Sequence, residues 1–353
     1  MKGLLAYVFV LVVIIGLHEF AHFLFCKIWG VKVIRFSIGL GPVLIGRKIG
    51  ETEYQIAAIP LGGYVLPLSR KMDNMEGYEI HAEPDHPEKY FESKPPWQRV
   101  VIYLVGPLSN LLQAFVLCLG LTLLIGLPHP TNFVGALVVG YPAEQSGLKP
   151  GDRIDSVGGQ PVSDWEDVVR GINSGGGKAV KILVLRDSEK KEFLMTPKAE
   201  NAGGETIYRI GIKPAVGYNK VPPGLALKVS AVYTASTSKF YMGYFLKLFT
   251  GRVNMKGLSG PIGIYQVTDA SAKQGWVAII ELMIMLNMSL FALNLLPIPG
   301  LDGGQIYPNL FEMLTGIKMS PKFEEVWRTL GVLMILSIFA LAMWNDIARL
   351  FGK

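Results

Sequence analysis

The pentad HEFAH, His18 to His22, lies inside the run LLAYVFVLVVIIGLHEFAHFLF, residues 4–25. Two imidazoles and a carboxylate therefore fall where a membrane span is expected. Each ionisable group at bilayer depth costs roughly 2.5 to 3.5 kcal/mol on insertion scales, so a span that keeps them needs a local reason. Residues four apart share one helix face, which lets His18 and His22 hold one Zn²⁺ while Glu19 turns toward its water, the chemistry of a metalloprotease. The alternative is a structural His pair. A solvated helix could carry these residues freely, but Val10 to Leu17 and Phe20 to Phe25 leave no polar face except the motif.

The surrounding chain has the composition of a membrane protein. Of 353 residues, 50% are hydrophobic, and mean hydropathy is +0.35. Besides the first run, Val100 to Leu127, Val277 to Leu296 and Leu330 to Trp344 approach the length that crosses hydrocarbon, the last borrowing Val326 and Trp327. Lys2 ahead of an apolar core resembles a signal peptide, but no small-residue cleavage site follows, so a retained span is expected. Cys26 and Cys118 border or occupy apolar runs and give no disulfide framework or CxxC zinc site.

A net charge of +6 does not point to nucleic acid, because Lys27, Lys32, Arg35, Arg47, Lys48, Arg70, Lys71, Lys89 and Lys94 all lie between the first two runs. Positive loops favour the cytoplasmic side. The amino terminus and the long segment after Leu127 are then expected to be extracytoplasmic in a multi-pass membrane protein.

Between about residues 30 and 67 the chain alternates apolar and polar residues between Gly and Pro breaks, as hairpins do. A membrane-associated sheet beside the metal, with Gly39 and Gly41 in its loop, would have an edge able to add substrate as a strand. The alternative is an ordinary cytoplasmic hairpin. Lys71 to Lys94 is polar and acidic, and its His81 and His86 are expected to be solvated.

From Phe133 to about Pro214 the pattern becomes that of a small α+β domain. Strand FVGALVVG leads to a turn-helix PAEQSGLKPGD, strand RIDSVGGQPV, helix SDWEDVVRGINS, and strands AVKILVLRD, KEFLMTP and YRIGI. This succession resembles a PDZ domain, which would hold an extended peptide or chain end in a groove. Pro222 to Phe249, with Lys228, Lys239 and Lys247, is expected to be an interfacial amphipathic helix, and a fifth span competes with that reading.

A catalytic zinc commonly has three protein ligands. The strongest third candidate is Asp302 in NLLPIPGLDGG, Asn294 to Gly304, where two prolines and three glycines end the third run. Backbone freed at that depth is tolerated only against protein or a wet cavity, and an Asp there can face a metal; a plain helix-end turn is the alternative. In GPLSN, Gly106 to Asn110, Asn110 either contacts a developing oxyanion or makes an interhelical hydrogen bond.

HEFAH in the first span, GPLSN in the second, one PDZ-like insert and NLLPIPGLDGG after the third together resemble the site-2 protease family, closest to its bacterial regulator-of-sigma-E branch. The resemblance implies a polytopic α-helical membrane protein of about four spans, with a membrane-associated β-sheet and an inserted α+β PDZ domain. Its divisions would be 1–127 with the first two spans, 128–221 as the PDZ domain, 222–256 as the interfacial segment and 257–353 with the last two spans. It further implies Zn²⁺ held by His18, His22 and Asp302, Glu19 as catalytic base, and Asn110 and Asn294 as substrate or transition-state contacts. Expected substrates are single-span membrane proteins, trimmed beforehand and cut within the bilayer on its cytoplasmic side. Some relatives carry two tandem PDZ domains, and this chain has room for one. An inactive PDZ adaptor and a metal-ion transporter are the rival readings; an intact HExxH with Asp302 argues against the first, and the PDZ-like insert argues against the second.

Overall fold

The apolar run around the pentad forms one helix, α1 (Lys2–Ile28). Its exposed Leu17, Phe20 and Leu24 face outward, while Val10, Ile14, His22 and Cys26 are buried. At 1.5 Å per residue, His18 sits about 21 Å along the axis from Leu4, well inside hydrocarbon about 30 Å thick. The computed structural model describes residues 2–70, 86–202, 205–249 and 258–351. His81 and Lys71 lie outside the described residues, as does 250–256 of the expected interfacial segment. The chain divides into two compact units, Met1–Leu121 with Gly224–Lys353, and Thr122–Pro223.

In the first unit, α1 is followed by β1 (Val33–Ile49) and β2 (Thr52–Pro67). Their register folds the pair into a broader sheet: Phe36 lies opposite both Val65 and Tyr54, and Ser37 opposite both Tyr64 and Gln55. Residues 35–38 are thus central, flanked by 63–66 on one side and 53–56 on the other. Gly39 and Gly41 have φ of +95° and +83°, a left-handed backbone that shifts the register on either side of Leu40, which pairs with Ile59. Around that bend Val43, Leu44, Ile45, Ile56 and Ile59 are all exposed, an apolar surface on a chain of membrane helices.

Two short 3-10 turns, in which His86 is exposed, lead to α2 (Pro96–Leu124). After the second unit, which holds α3 (Pro142–Gln145) and α4 (Trp165–Ser174), come α5 (Pro223–Phe249), α6 (Pro261–Gln274), α7 (Trp276–Asn294), α8 (Asp302–Thr315) and α9 (Pro321–Leu350). Among the described residues, α1, α2, α7 and α9 are long and apolar enough to cross a membrane. The fourth is longer than the run Leu330 to Trp344 because Lys322, Glu324, Glu325 and Arg328 extend it in polar turns behind a Ser320 cap.

Helix α5 is not among these four. Its buried stripe is Ala226, Ser230, Thr234 and Ser238, while Leu227, Val232 and Phe240 are exposed together with its lysines. Toward its end Tyr241, Phe245 and Leu248 pack with Ala292 and Leu296 or with Ile284 and Met288, so this third of the helix is built into the bundle.

Helix α8 is gripped from two sides. Pro308 has no N–H for the carbonyl of Gly304 one turn earlier, and Trp327 Nε1 of α9 donates to that carbonyl at 2.8 Å. Opposite, Arg99 of α2 donates to Asn309 Oδ1 at 2.8 Å and Glu312 Oε1 at 2.7 Å.

The second unit contains β3 (Leu127–Leu137), α3 (Pro142–Gln145), β4 (Arg153–Val157), β5 (Gln160–Pro161), α4 (Trp165–Ser174), β6 (Val180–Arg186), β7 (Glu189–Met195), β8 (Lys198–Ala202), β9 (Glu205–Arg209) and β10 (Ile212–Asn219). Its main sheet has the order β10-β3-β4-β6-β7, with β5 on β4; β8 and β9 form a separate hairpin. Val134, Ile154, Val157, Val168, Ile182 and Val184 centre its core. The expected strand YRIGI is instead broken into β9 and β10, because Gly211 takes φ +82° with Tyr141 packed where a side chain would go. The β8–β9 hairpin was not anticipated.

Asp152, 1% exposed, accepts from Arg186 Nε at 2.6 Å and Nη2 at 2.7 Å and from the Lys149 N–H at 2.8 Å. Burial opposes its charge, but Arg186 and the Lys149 N–H outweigh burial and hold the carboxyl below its usual range. A depressed folded-state value means the stabilisation is present above about pH 4 and is lost as pH falls through the folded value. Asp152→Asn should cost roughly 3 kcal/mol at pH 7, the low end for breaking a buried pair because Arg186 is 17% exposed. Hydrogen exchange of β4 and β6 amides in the full chain reads this, and unchanged protection at pH 7 would contradict it.

Candidate active site

His18 and His22 project from one face of α1, their rings 4.9 Å apart and edge to face. Asp302 reaches them from the first residue of α8, where the helix N-terminus favours a carboxylate. Gly303 and Gly304 make this turn possible, since a side chain at either would run into the carbonyls of Leu296 and Ile298. Asp302 Oδ2 is 3.1 Å from His18 Nε2, Oδ1 is 3.3 Å from His22 Nε2, and the two Nε2 atoms are 3.3 Å apart. One ligand atom from each of the three residues lies within 4.8 Å of the others.

The outer nitrogens of both rings are occupied. His22 Nδ1 donates to the Ile102 carbonyl of α2 at 2.6 Å, and His18 Nδ1 donates to Asn110 Oδ1 at 2.5 Å. With a proton on Nδ1, the neutral form of each ring has its Nε2 lone pair directed at the other ring and at a carboxylate. Asp302 Oδ2 is buried and accepts no well-formed hydrogen bond despite its proximity to His18. Three electron-rich atoms converging in a buried place is unfavourable unless a cation joins them, and two imidazoles with one carboxylate is a zinc donor set. The residues present therefore fit the metal.

Glu19 is half-buried on the adjoining face of α1, and Gly63 of β2 lies against it. A Cβ built on Gly63 would stand 2.8 Å from Glu19 Cγ and 3.2 Å from Ile15 Cγ2, so only glycine lets the sheet approach this closely. The sheet residue beside the base is thus Gly63, while Gly39 and Gly41 shape the bend further along. Sequence reading missed Gly63; the pair Gly62-Gly63 inside an apolar alternation was its signal.

Asn110 is fully buried, and its amide is committed at both ends: Oδ1 to His18, and Nδ2 to Asn287 Oδ1 at 3.0 Å. The interhelical bond is what the structure contains. Asn287, an Asn in the middle of the third apolar run, also went unremarked, although an intramembrane polar side chain is itself a signal. Asn294 is half-buried in the last turn of α7.

Gly106 faces both rings, and any Cβ there would overlap ring atoms of His22 and His18. Gly106→Val should therefore displace both imidazoles and lower hydrolysis by about 10²-fold or more, the cost of roughly 1 Å misplacement. Zinc content and turnover of the purified variant check this; wild-type values in both would refute the packing argument.

The profile of peptidase family M50 matches residues 6–338. Zinc metalloprotease RasP of Bacillus licheniformis is 28% identical over 424 aligned positions, covering 99% of this chain and 100% of the relative. Regulator of sigma-W protease RasP of Bacillus subtilis is 27% identical over 420 positions, covering 98% of each.

Proposed function

The chain belongs to peptidase family M50, and from that premise we propose how its own residues carry out the hydrolysis. It is a zinc metalloendopeptidase of the site-2 protease type, acting on membrane proteins in regulated intramembrane proteolysis. The observation that carries this reading is the convergence of His18, His22 and Asp302 from two distant parts of the sequence, with helices long and apolar enough to cross a membrane around them.

His18, His22 and Asp302 hold the zinc, which when bound supplies a Lewis acid that polarises the scissile carbonyl and makes water more acidic. Glu19 takes the proton from the attacking water and gives it to the departing amide nitrogen, so that one carboxylate serves as base and then as acid. Asn110, with both amide ends committed, orients His18 rather than an oxyanion. Asn294 remains the candidate for a substrate contact.

A helical substrate hides its carbonyls in its own hydrogen bonds, so local unwinding precedes attack. Residues 63–66 pair with 35–38 on one side and have no strand partner on the other among the described residues. An unwound substrate added along that edge would lie beside Glu19, with the bend at Gly39 and Gly41 holding the sheet's shape. Substrates are single-span membrane proteins already trimmed outside the bilayer. The name regulator of sigma-W protease borne by one relative supports a regulatory class such as anti-sigma factors.

The second unit is a PDZ domain that captures an extended peptide or chain end and so selects substrates; its sheet with α4 alongside supports this. The amino terminus and this domain face the extracytoplasmic side of a bacterial inner membrane. The position of His18 to His22 in the carboxyl-terminal half of α1 supports an active site toward the cytoplasm. Incubating the detergent-solubilised protein with a panel of single-span helices tests the function. Cuts inside the spans that vanish with a zinc chelator are expected; cuts indifferent to chelation, or none in any helix, would defeat it.

A further inference from the structure

Asn287 stands at the centre of α7 with no exposed surface, between Met283 and Met288. An amide placed in an apolar interior without partners costs roughly 2 to 7 kcal/mol, so its bonds matter. Its Nδ2 donates to the Met283 carbonyl at 2.9 Å, and its Oδ1 accepts from Asn110 Nδ2 at 3.0 Å. A backbone carbonyl can only accept, so Met283 fixes which end of the Asn287 amide faces which way. Asn287 therefore presents an oxygen to Asn110, Asn110 must answer with its NH₂, and its own oxygen is left facing His18 Nδ1 at 2.5 Å. That oxygen also can only accept, which places a proton on His18 Nδ1 and, in the neutral ring that binds a metal, leaves the Nε2 lone pair toward Asp302 and His22.

We propose that Asn287 is a positioning residue that selects the metal-binding tautomer of His18 by fixing the orientation of Asn110. His22 needs no such relay, because its Nδ1 already meets a backbone carbonyl, that of Ile102. His18 meets an amide, and an amide free to rotate would as readily offer its NH₂, moving the ring proton to Nε2 and blocking the ligand. The second amide removes that choice.

This inference rests on the zinc reading of the site, and its test separates the two. Asn287→Leu keeps the volume and suits an apolar interior while removing both bonds. Its zinc affinity, from chelator competition on the purified full chain, should fall about 10- to 100-fold, as for lost partners of ligating histidines. Asn110→Asp presents an acceptor whichever way it turns, so in that background Asn287→Leu should change zinc affinity by no more than about twofold, the scatter of independent sites. Wild-type affinity in Asn287→Leu, or an equal loss in both backgrounds, would overturn the proposal. A measurement free of any variant is the ¹⁵N spectrum of histidine-labelled, metal-free wild type at a pH where its imidazoles are neutral: His18 protonated at Nδ1 alone is expected, and His18 protonated at Nε2 alone would overturn it. A wild type that takes up no zinc would instead count against the metal reading, with the spectrum still deciding the tautomer.

Discussion

Replacing Glu19 by Gln should reduce peptide hydrolysis by about 10³-fold or more while the purified protein retains zinc. General acid–base groups contribute typically 10² to 10⁴, and here one carboxylate acts in both proton transfers. The substitution is nearly isosteric, so the approach of Gly63 to the side chain is preserved. Glu19 is not one of the three clustered donors, which is why metal content should not follow activity. Cleavage of a single-span substrate and zinc per protein, measured on the same preparation, give the two numbers. Retained hydrolysis would reject Glu19 as the base, and a parallel loss of zinc would move it into the ligand set.

Asp302→Ala should have the opposite signature, losing zinc and activity together. Removing one of three donors leaves two imidazoles facing each other across the gap, with Nε2 atoms now 3.3 Å apart and no anion between them. Affinity should drop by well over the 10- to 100-fold typical of a lost partner to a ligand, because a direct donor is lost. The fold should survive, since α8 is anchored elsewhere, by Trp327 on Gly304 and by Arg99 on Asn309 and Glu312. Elemental analysis of the variant, with thermal unfolding as a control, settles the point. Unchanged metal content would remove Asp302 from the site.

What the sequence made legible and what it hid follow from how each residue is specified. HEFAH stood out because charge in a span is expensive, and Asp302 because Pro and Gly end a helix where free backbone groups need partners. Both are local signals. Asn110 was visible as an intramembrane polar residue, but its two possible roles differ only in which atoms it meets, and its partner Asn287 is 177 residues away in the chain. Gly63 and Gly106 are required by side chains from another segment, the one by Glu19 and the other by the two histidines, so the glycine pair and the GPLSN motif mark the positions without saying what needs them. In α5 the spaced lysines marked the exposed side, but not which residues pack inward: Ser230, Thr234 and Ser238, small enough to be buried, do so while the lysines stay outside. The break in YRIGI was hidden for a related reason: its apolar alternation is that of a strand, and the left-handed turn at Gly211 answers to Tyr141.

The central claim is that two histidines of one span and an aspartate some 280 residues later share one zinc ion. Zinc-edge X-ray absorption on the purified protein tests it most directly. The expected spectrum has two imidazole nitrogens near 2.0–2.1 Å and carboxylate oxygen near 2.0–2.2 Å, with the oxygen contribution altered in any zinc that Asp302→Ala still binds. Sulfur scattering near 2.3 Å, a single imidazole, or a spectrum unchanged by the Asp302 substitution would contradict the account.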